Sequence, residues 1–480
     1  MREAAFVLAI DMGSSWCKAA YVDATGQTVS EGRVYTRGGP PFGHDAAELA
    51  RSWTALVEAI HKANDGLRML GHVPSPDAIA ISCRKAPGVW LDGNNEPVNV
   101  PRAAIEGVDR DDIDDSYAAD VWGDSDPFAY GYGLDLIGNT RWLRHHFPDE
   151  CSRVRKAGTL HTWLVWKLTG CWVTSLAAGA GQFAWPEAVT ILTGLPTNAF
   201  PHVTESFRPV ATVTAFAAKS LGLPVDIPVV AGTHDGAAAN LGVGAVGPGD
   251  ACLTLGTNGV LRVVTGARLF RQFGYPIVEG RWAMVRDIVG IAPHLDAVVI
   301  AIDGAGLPVA PTRHRLLMAE AEPVPPGAGG LSLPVGYSGS LASLAASHSA
   351  GVVYRAALEG IGLAFCGLVQ VARAAGAAPQ RFFATGGGTA NTLLLTIVSG
   401  CIGAPVLTIP DEAGMRGAAI LAGVGAGWYS TVDEAVAAMV PEGREVVAPP
   451  ELMQAYAELA LTIDLPAGVA PGDKVRGLAD

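Results

Sequence analysis

The chain has 480 residues, with 33 Lys and Arg against 46 Asp and Glu, and so carries a formal net charge of −13. This length suits two or three domains, each with its own core, and a composition 49% hydrophobic and only 16% charged excludes a disordered or fibrous chain. The acidic balance argues against a nucleic-acid partner, which would call for a basic field.

Phe6–Ile10 reads as a buried strand, Lys18–Val22 as a second and Thr28–Tyr35 as a third. Short apolar runs joined by tight turns of Gly and small polar residues make a β-meander. An amphipathic helix over about 46–63 follows, with Leu49, Trp53, Leu56, Val57 and Ile60 on one face and Asp45 placed to cap it. Ala78–Ser82 is another buried strand. Residues 100–130 are polar and irregular, and their cluster of Asp109, Asp111, Asp112, Asp114 and Asp115 reads as a solvated loop rather than a metal cluster. Helical texture returns over 140–168. Pro224–Ala231 is a strand entering the loop Gly232–Gly236, and a helix of small residues, Ala237–Val243, comes next.

Gly244–Asp250 has the composition of a hinge. Beyond it, Ala251–Leu255, the turn Gly256–Gly259 and Val260–Val264 repeat the plan of the hairpin Ala9–Lys18, which suggests two duplicated domains, 1–245 and 246–480. The second half alternates: a long helix Val352–Ala375 ending at Gly376, a strand Phe382–Thr385, the loop Gly386–Gly388, a helix over about 391–401, a strand Pro405–Ile409 and a helix Met415–Gly425. Such alternation implies an α/β sheet covered on its faces. The seven scattered cysteines, with no C-x-x-C pair, fit reduced thiols and give no zinc spacing. No apolar stretch approaches the ~18 residues that span a bilayer, and the N-terminal apolar run, cut by Asp11, is too short for a signal peptide. A cytoplasmic protein with no membrane partner is expected.

Four segments carry chemistry. In Asp11-x-Gly13-Ser14-Ser15-x-x-Lys18, glycine admits a phosphate to the backbone, the hydroxyls and Lys18 supply donors, and Asp11 suits a magnesium ion held through water. Gly256, Thr257 and Asn258 form the same device in the second half. Gly386, Gly387 and Gly388 join a strand to a helix, a site of close backbone approach that a nucleotide commonly fills. No lysine follows a glycine anywhere in the chain, which excludes a Walker A loop. Asp235 stands at a strand end before glycine, either as a helix cap or as a base for a hydroxyl that attacks phosphorus.

Taken together, AIDMGSSWCKAAYVD, AGTHDGAAANLGVGAVGPGDACLTLGTNGVLR, YRAALEGIGLAF, FFATGGGTANTLLLTIVSGCIGAPV and AGMRGAAILAGVGAG resemble the FGGY carbohydrate kinase family over most of the chain. The resemblance implies an α/β fold of two ribonuclease-H-like (actin-like ATPase) domains with an interdomain cleft. It also implies ATP and Mg²⁺, with transfer of a γ-phosphoryl group to a hydroxyl of a sugar, polyol or sugar acid. On it, Asp235 falls on the catalytic base and Asp11 on the first phosphate-site aspartate, the two being the candidate metal carboxylates. Gly256 and Thr257 fall on the second phosphate loop, Gly387 and Gly388 on the adenosine loop, and Asn391 close to the adenine.

The sugar-contacting segments depart from that pattern. A Gly-Gln-Met-His-like run is replaced by Cys83-Arg84-Lys85-Ala86-Pro87, and a Trp-x-Asp-x-Arg element keeps only Asp109. The cations Arg84 and Lys85 favour an anionic acceptor if they face it, and otherwise point to solvent. The wording of Asp235–Gly242 leans toward gluconokinase-like members, with a xylulokinase-like ketose kinase as the alternative. A nucleotide-binding pseudokinase or regulator with a degraded sugar site is the reading from another class. A homodimer is a candidate assembly.

Overall fold

The computed structural model describes residues 5–36, 45–84, 88–98, 136–179, 186–269, 272–304, 309–410 and 412–461. Its packing divides the chain into two units, one of residues 1–246, 266–282 and 412–441, the other of residues 247–265, 283–411 and 442–480. The chain leaves the first unit after Val246. Residues 266–282 and 412–441, which the sequence assigns to the C-terminal domain, pack instead with the N-terminal residues.

In the first unit, β1 (Val7–Met12), β2 (Trp16–Val22) and β3 (Thr28–Tyr35) form the expected antiparallel meander. Helix α1 (Ala46–Met69) is capped by Asp45, whose carboxylate accepts from the Glu48 amide, and runs on past the end of its expected apolar stripe near Ala63. Strand β4 (Ile79–Cys83) pairs parallel with β1. The helical texture expected over 140–168 resolves into separate elements: helix Leu136–His146, a short helix at Pro148, a strand, Lys156–Gly158, and α2 (Leu160–Thr169). Proline supports a first turn but not an interior one, so the helical pattern restarts there. Strands β5 (Pro209–Thr212), β6 (Pro228–Val230) and β7 (Thr233–His234) lead into α3 (Asp235–Val243). The sheet runs β3-β2-β1-β4-β6-β5, with β7 also on β4. Alternation along β1 sends Leu8, Ile10 and Met12 into a core with Leu56 and Ile60 of α1 and Leu164 and Leu168 of α2, and turns Asp11 to the other face.

The second unit repeats this plan. Strands β8 (Asp250–Leu255) and β9 (Gly259–Thr265) form an antiparallel hairpin, followed by β10 (Arg281–Ile288), α4 (Ile291–Asp303) and α5 (Ala350–Ala374). Strand β11 (Arg381–Thr385) pairs parallel with β8, as β4 does with β1. After α6 (Thr392–Ile402) come β12 (Val406–Thr408), α7 (Ala413–Gly425) and β13 (Arg444–Val446), and the sheet reads β10-β9-β8-β11-β12-β13. Contrary to the sequence reading, α5 is long and apolar enough to cross a membrane, but it is mostly buried inside its unit. It carries the buried pair Arg355–Glu359 (2.8 Å), both also bonded to the Tyr456 hydroxyl. That is the character of a core helix.

Helix α7 returns to the first unit, where it lies on β1 and β4 and crosses α3. The crossing is so close that a Cβ on Gly417 would stand 2.0 Å from the Ala238 carbonyl oxygen, and one on Gly242 1.8 Å from that of Ala413. This explains the Ala- and Gly-rich composition of both helices: only there can two backbones meet. The buried Arg416 then reaches the Gly242 carbonyl at 2.8 Å.

Candidate active site

The turn between β1 and β2 is closed by the Gly13 amide donating to the Trp16 carbonyl (2.9 Å). A Cβ on Gly13 would crowd that same oxygen at 3.1 Å, and Ser14 and Ser15 stand exposed at the tip. Arg84, just past β4, donates from Nη1 to the Gly13 carbonyl at 2.7 Å. The guanidinium thus points to the hairpin and not simply to solvent, and its other donors have no partner among the described residues. Lys18 faces the same turn, with Nζ 2.6 Å from Glu412 Oε2.

Behind the turn, three neighbouring parallel strands bring Asp11, Ser82 and Thr233 into one row, Asp11 opposite Ser82 and Ser82 opposite Thr233. Asp11 Oδ1, Ser82 Oγ and Thr233 Oγ1 are all shut off from solvent and make no hydrogen bond of ordinary geometry among the described residues. Buried oxygens without donors are costly unless something fills the gap. Burial, then the charge of Asp235, pushes the Asp11 carboxyl up to about 6, with Lys18 pulling the other way. Asp11 Oδ2 is not among these shut-off oxygens, and a carboxylate oxygen there fits a hydrated divalent cation, since it can bind magnesium or accept hydrogen bonds from its waters. Asp235 itself is exposed, at the first turn of α3 directly after β7, and its Oδ1 accepts from the Gly236 amide (2.7 Å). A Cβ on Gly236 would lie 2.3 Å from the Tyr275 hydroxyl, and the Tyr275 ring packs edge-on against the buried His234 at 4.1 Å. A side chain at 236 would therefore have to push Tyr275 away from His234.

In the second unit, Thr257 and Asn258 are exposed at the β8–β9 turn. Asn258 Oδ1 accepts from the Gly290 amide (2.9 Å), which ties the turn to the start of α4. The three glycines after β11 have different reasons to be there. Gly386, at φ 95°, and Gly388 press on Leu255, a Cβ on either meeting it at 2.6 and 2.8 Å, whereas Gly387 has nothing within 4 Å of its Cβ position. Only Gly387 faces open space, as a ligand cradle requires. Asn391 caps α6 by accepting from the Leu394 amide (2.9 Å). Nearby, burial pushes the Tyr354 phenol up to about 12, with Asn391 pulling the other way. The Tyr354 hydroxyl meets His314 Nδ1 at 3.0 Å, and His314 Nε2 meets Asp296 at 3.1 Å.

The first unit thus collects Asp11, Gly13, Ser14, Ser15, Lys18, Arg84 and Asp235, and the second collects Gly256, Thr257, Asn258, Gly386, Gly387, Gly388 and Asn391. Lys85 and Asp109 lie outside the described residues. Sequence reasoning missed Ser82, Thr233 and Glu412 in the first unit and Tyr354, His314 and Asp296 in the second. The hydroxyls of Ser82 and Thr233 were visible as polar residues inside apolar strands, a usable signal. Glu412 and the Tyr354 chain had none, being set by contacts between distant segments.

Two family models match the chain, the N-terminal domain of the FGGY family of carbohydrate kinases over residues 137–242 and its C-terminal domain over residues 326–426. A glycerol kinase of Aromatoleum aromaticum is 28% identical over 472 residues, covering 89% of this chain and 92% of that protein. The solved xylulose kinase from Rhodospirillum rubrum superposes with a TM-score of 0.78 at 24% identity, covering 95% of this chain and 97% of that one. The gluconate kinase from Lactobacillus acidophilus gives 0.77 at 17% identity, with 96% of each chain covered. These likenesses establish the fold as two α/β domains of the ribonuclease-H-like, actin-like ATPase type.

Proposed function

Because the chain belongs to the FGGY family of carbohydrate kinases, and is therefore an ATP-using phosphotransferase with an alcohol acceptor, we propose that the acceptor is a small sugar acid of the gluconate class. Asp235 takes the proton of the acceptor hydroxyl as its oxygen bonds to the γ-phosphorus. The bond from that phosphorus to the β,γ-bridging oxygen breaks, ADP leaves, and the exposed carboxyl of Asp235 returns its proton to solvent. In the first unit Gly13, Ser14, Ser15 and Lys18 are suited to phosphate oxygens; in the second, Gly256, Thr257 and Asn258 are suited to phosphate and Gly386–Gly388 and Asn391 to an adenosine. Asp11, with Ser82 and Thr233 behind it, would hold magnesium through its waters, with Asp235 as the second carboxylate. The ion would offset phosphate charge.

The observation that carries this reading is an exposed Asp235 whose charge reaches Asp11, a partly buried carboxylate with Oδ1 shut off from solvent. Arg84 supports the anionic acceptor: its guanidinium is pinned by the Gly13 carbonyl, and its remaining donors match a carboxylate. The relatives are named for glycerol, xylulose and gluconate, so the charge of the acceptor is the question to test. ADP release should be measured with Mg·ATP and a panel of aldonates, pentuloses and polyols. An aldonate is expected to be the best acceptor, and a neutral ketose or polyol in that place discards the sugar-acid reading. Asp235→Asn should lose ~10²–10⁴-fold in kcat while ADP still binds; full activity would remove Asp235 from its role.

A further inference from the structure

Lys18, a phosphate ligand in the reading above, is already engaged in the free protein. Its Nζ lies 2.6 Å from Glu412 Oε2, and the other oxygen of that carboxylate lies 3.4 Å from Arg33 Nη1. The side chains of Lys18 and Glu412 are 16% and 42% exposed, so the pair sits at a rim that a polyanion can reach. Glu412 occupies the N-cap position of α7, yet its side chain caps nothing and turns instead to β2 and β3. The turn it leaves uncapped faces the metal carboxylate: a Cβ on Gly414 would lie 3.5 Å from Asp11 Oδ2.

We propose that Glu412 is a positioning residue that stands in for a nucleotide phosphate. It holds Lys18 beside the hairpin in the free protein, surrenders it when a nucleotide binds, and so sets nucleotide affinity. The inference rests on the phosphate-binding reading of Lys18. Arg33 makes the exchange feasible, because a Glu412 that loses Lys18 keeps one cation and is not stranded. The exchange also has a direction. Glu412 adds a negative charge beside Asp11 and the incoming phosphates, so removing that charge both frees Lys18 and relieves repulsion.

The test is calorimetric titration of ADP into the full chain in EDTA, which reads binding without turnover. Glu412→Gln keeps an oxygen for Lys18 but removes the charge, and should tighten ADP binding about three- to tenfold, the effect of one unit charge at ~4 Å in high dielectric. The gain should shrink when Lys18→Met is also present, a coupling that a merely structural tie between α7 and the sheet would not show. Arg33→Met should weaken ADP binding, since displacement then strands Glu412. Unchanged or weaker binding in Glu412→Gln, or a gain equally large without Lys18, overturns the role of Glu412. An unmodified chain that binds no ADP overturns the phosphate reading as well, which keeps the two failures apart.

Discussion

At neutral pH, Asp11 is a liability to the folded chain, and Asp11→Asn measures how large. The folded state raises its carboxyl from 3.8 to about 6. Each pKa unit is worth about 1.36 kcal/mol, so the ionised carboxylate costs the folded state roughly 3 kcal/mol at pH 7. Between those two values the folded chain holds a proton that the unfolded chain has released. This group's contribution therefore favours folding at pH 4 and turns against it as pH rises through 6. Asparagine removes the charge but leaves a buried amide with few partners, a penalty of about 1–3 kcal/mol that offsets part of the gain. The expected net at pH 7 is a variant more stable by about 1–2 kcal/mol, or roughly 2–8 °C in melting temperature for a unit of this size. Melting curves of both proteins in EDTA at pH 7, 6, 5 and 4 provide the assay. The difference between them isolates Asp11 from every other titrating group. A variant less stable than the parent at pH 7, or a difference that does not shrink on acidification, refutes the argument that burial and Asp235 strain this carboxylate.

The remaining predictions concern packing, the nucleotide loop and acid stability. Gly417→Ala places a Cβ 2.0 Å from the Ala238 carbonyl oxygen and should destabilise the first unit by about 1–3 kcal/mol or more, seen in its urea midpoint. Gly387→Ala meets nothing within 4 Å, so the melting temperature should hold while ADP affinity measured by titration falls. His161 is buried in α2 with its Nε2 3.3 Å from the Ile81 carbonyl, and burial lowers its imidazole to about 4. Its folded pKa lies below the unfolded 6.5, so stability is lost as pH falls from 6.5 toward 4. His161→Gln should flatten that acid limb relative to the parent, and an unchanged limb counts against the assignment.

Much of the fold was legible because its causes are local. Alternation in β1, the glycines of both hairpin turns, Asp45 before an apolar stripe and the strand–glycine–helix run at 381–402 each follow from a few consecutive residues, as does the placing of Asp235 at a strand end. What the chain does with its distant segments was not legible. Lys18 and Glu412 are 394 positions apart, and α7 joins the first unit by lying on β1 and β4 and by the close crossing with α3 that Gly242 and Gly417 permit. The direction of Arg84, the idle oxygens of Asp11, Ser82 and Thr233, and the upward shift of Asp11 likewise appear only in three dimensions. Local propensity depends on neighbours along the chain, whereas desolvation and charge depend on neighbours through space. The sequence by itself therefore determined which residues carry the chemistry, and the tertiary structure decided which of them are already paired, buried or left with an oxygen to spare.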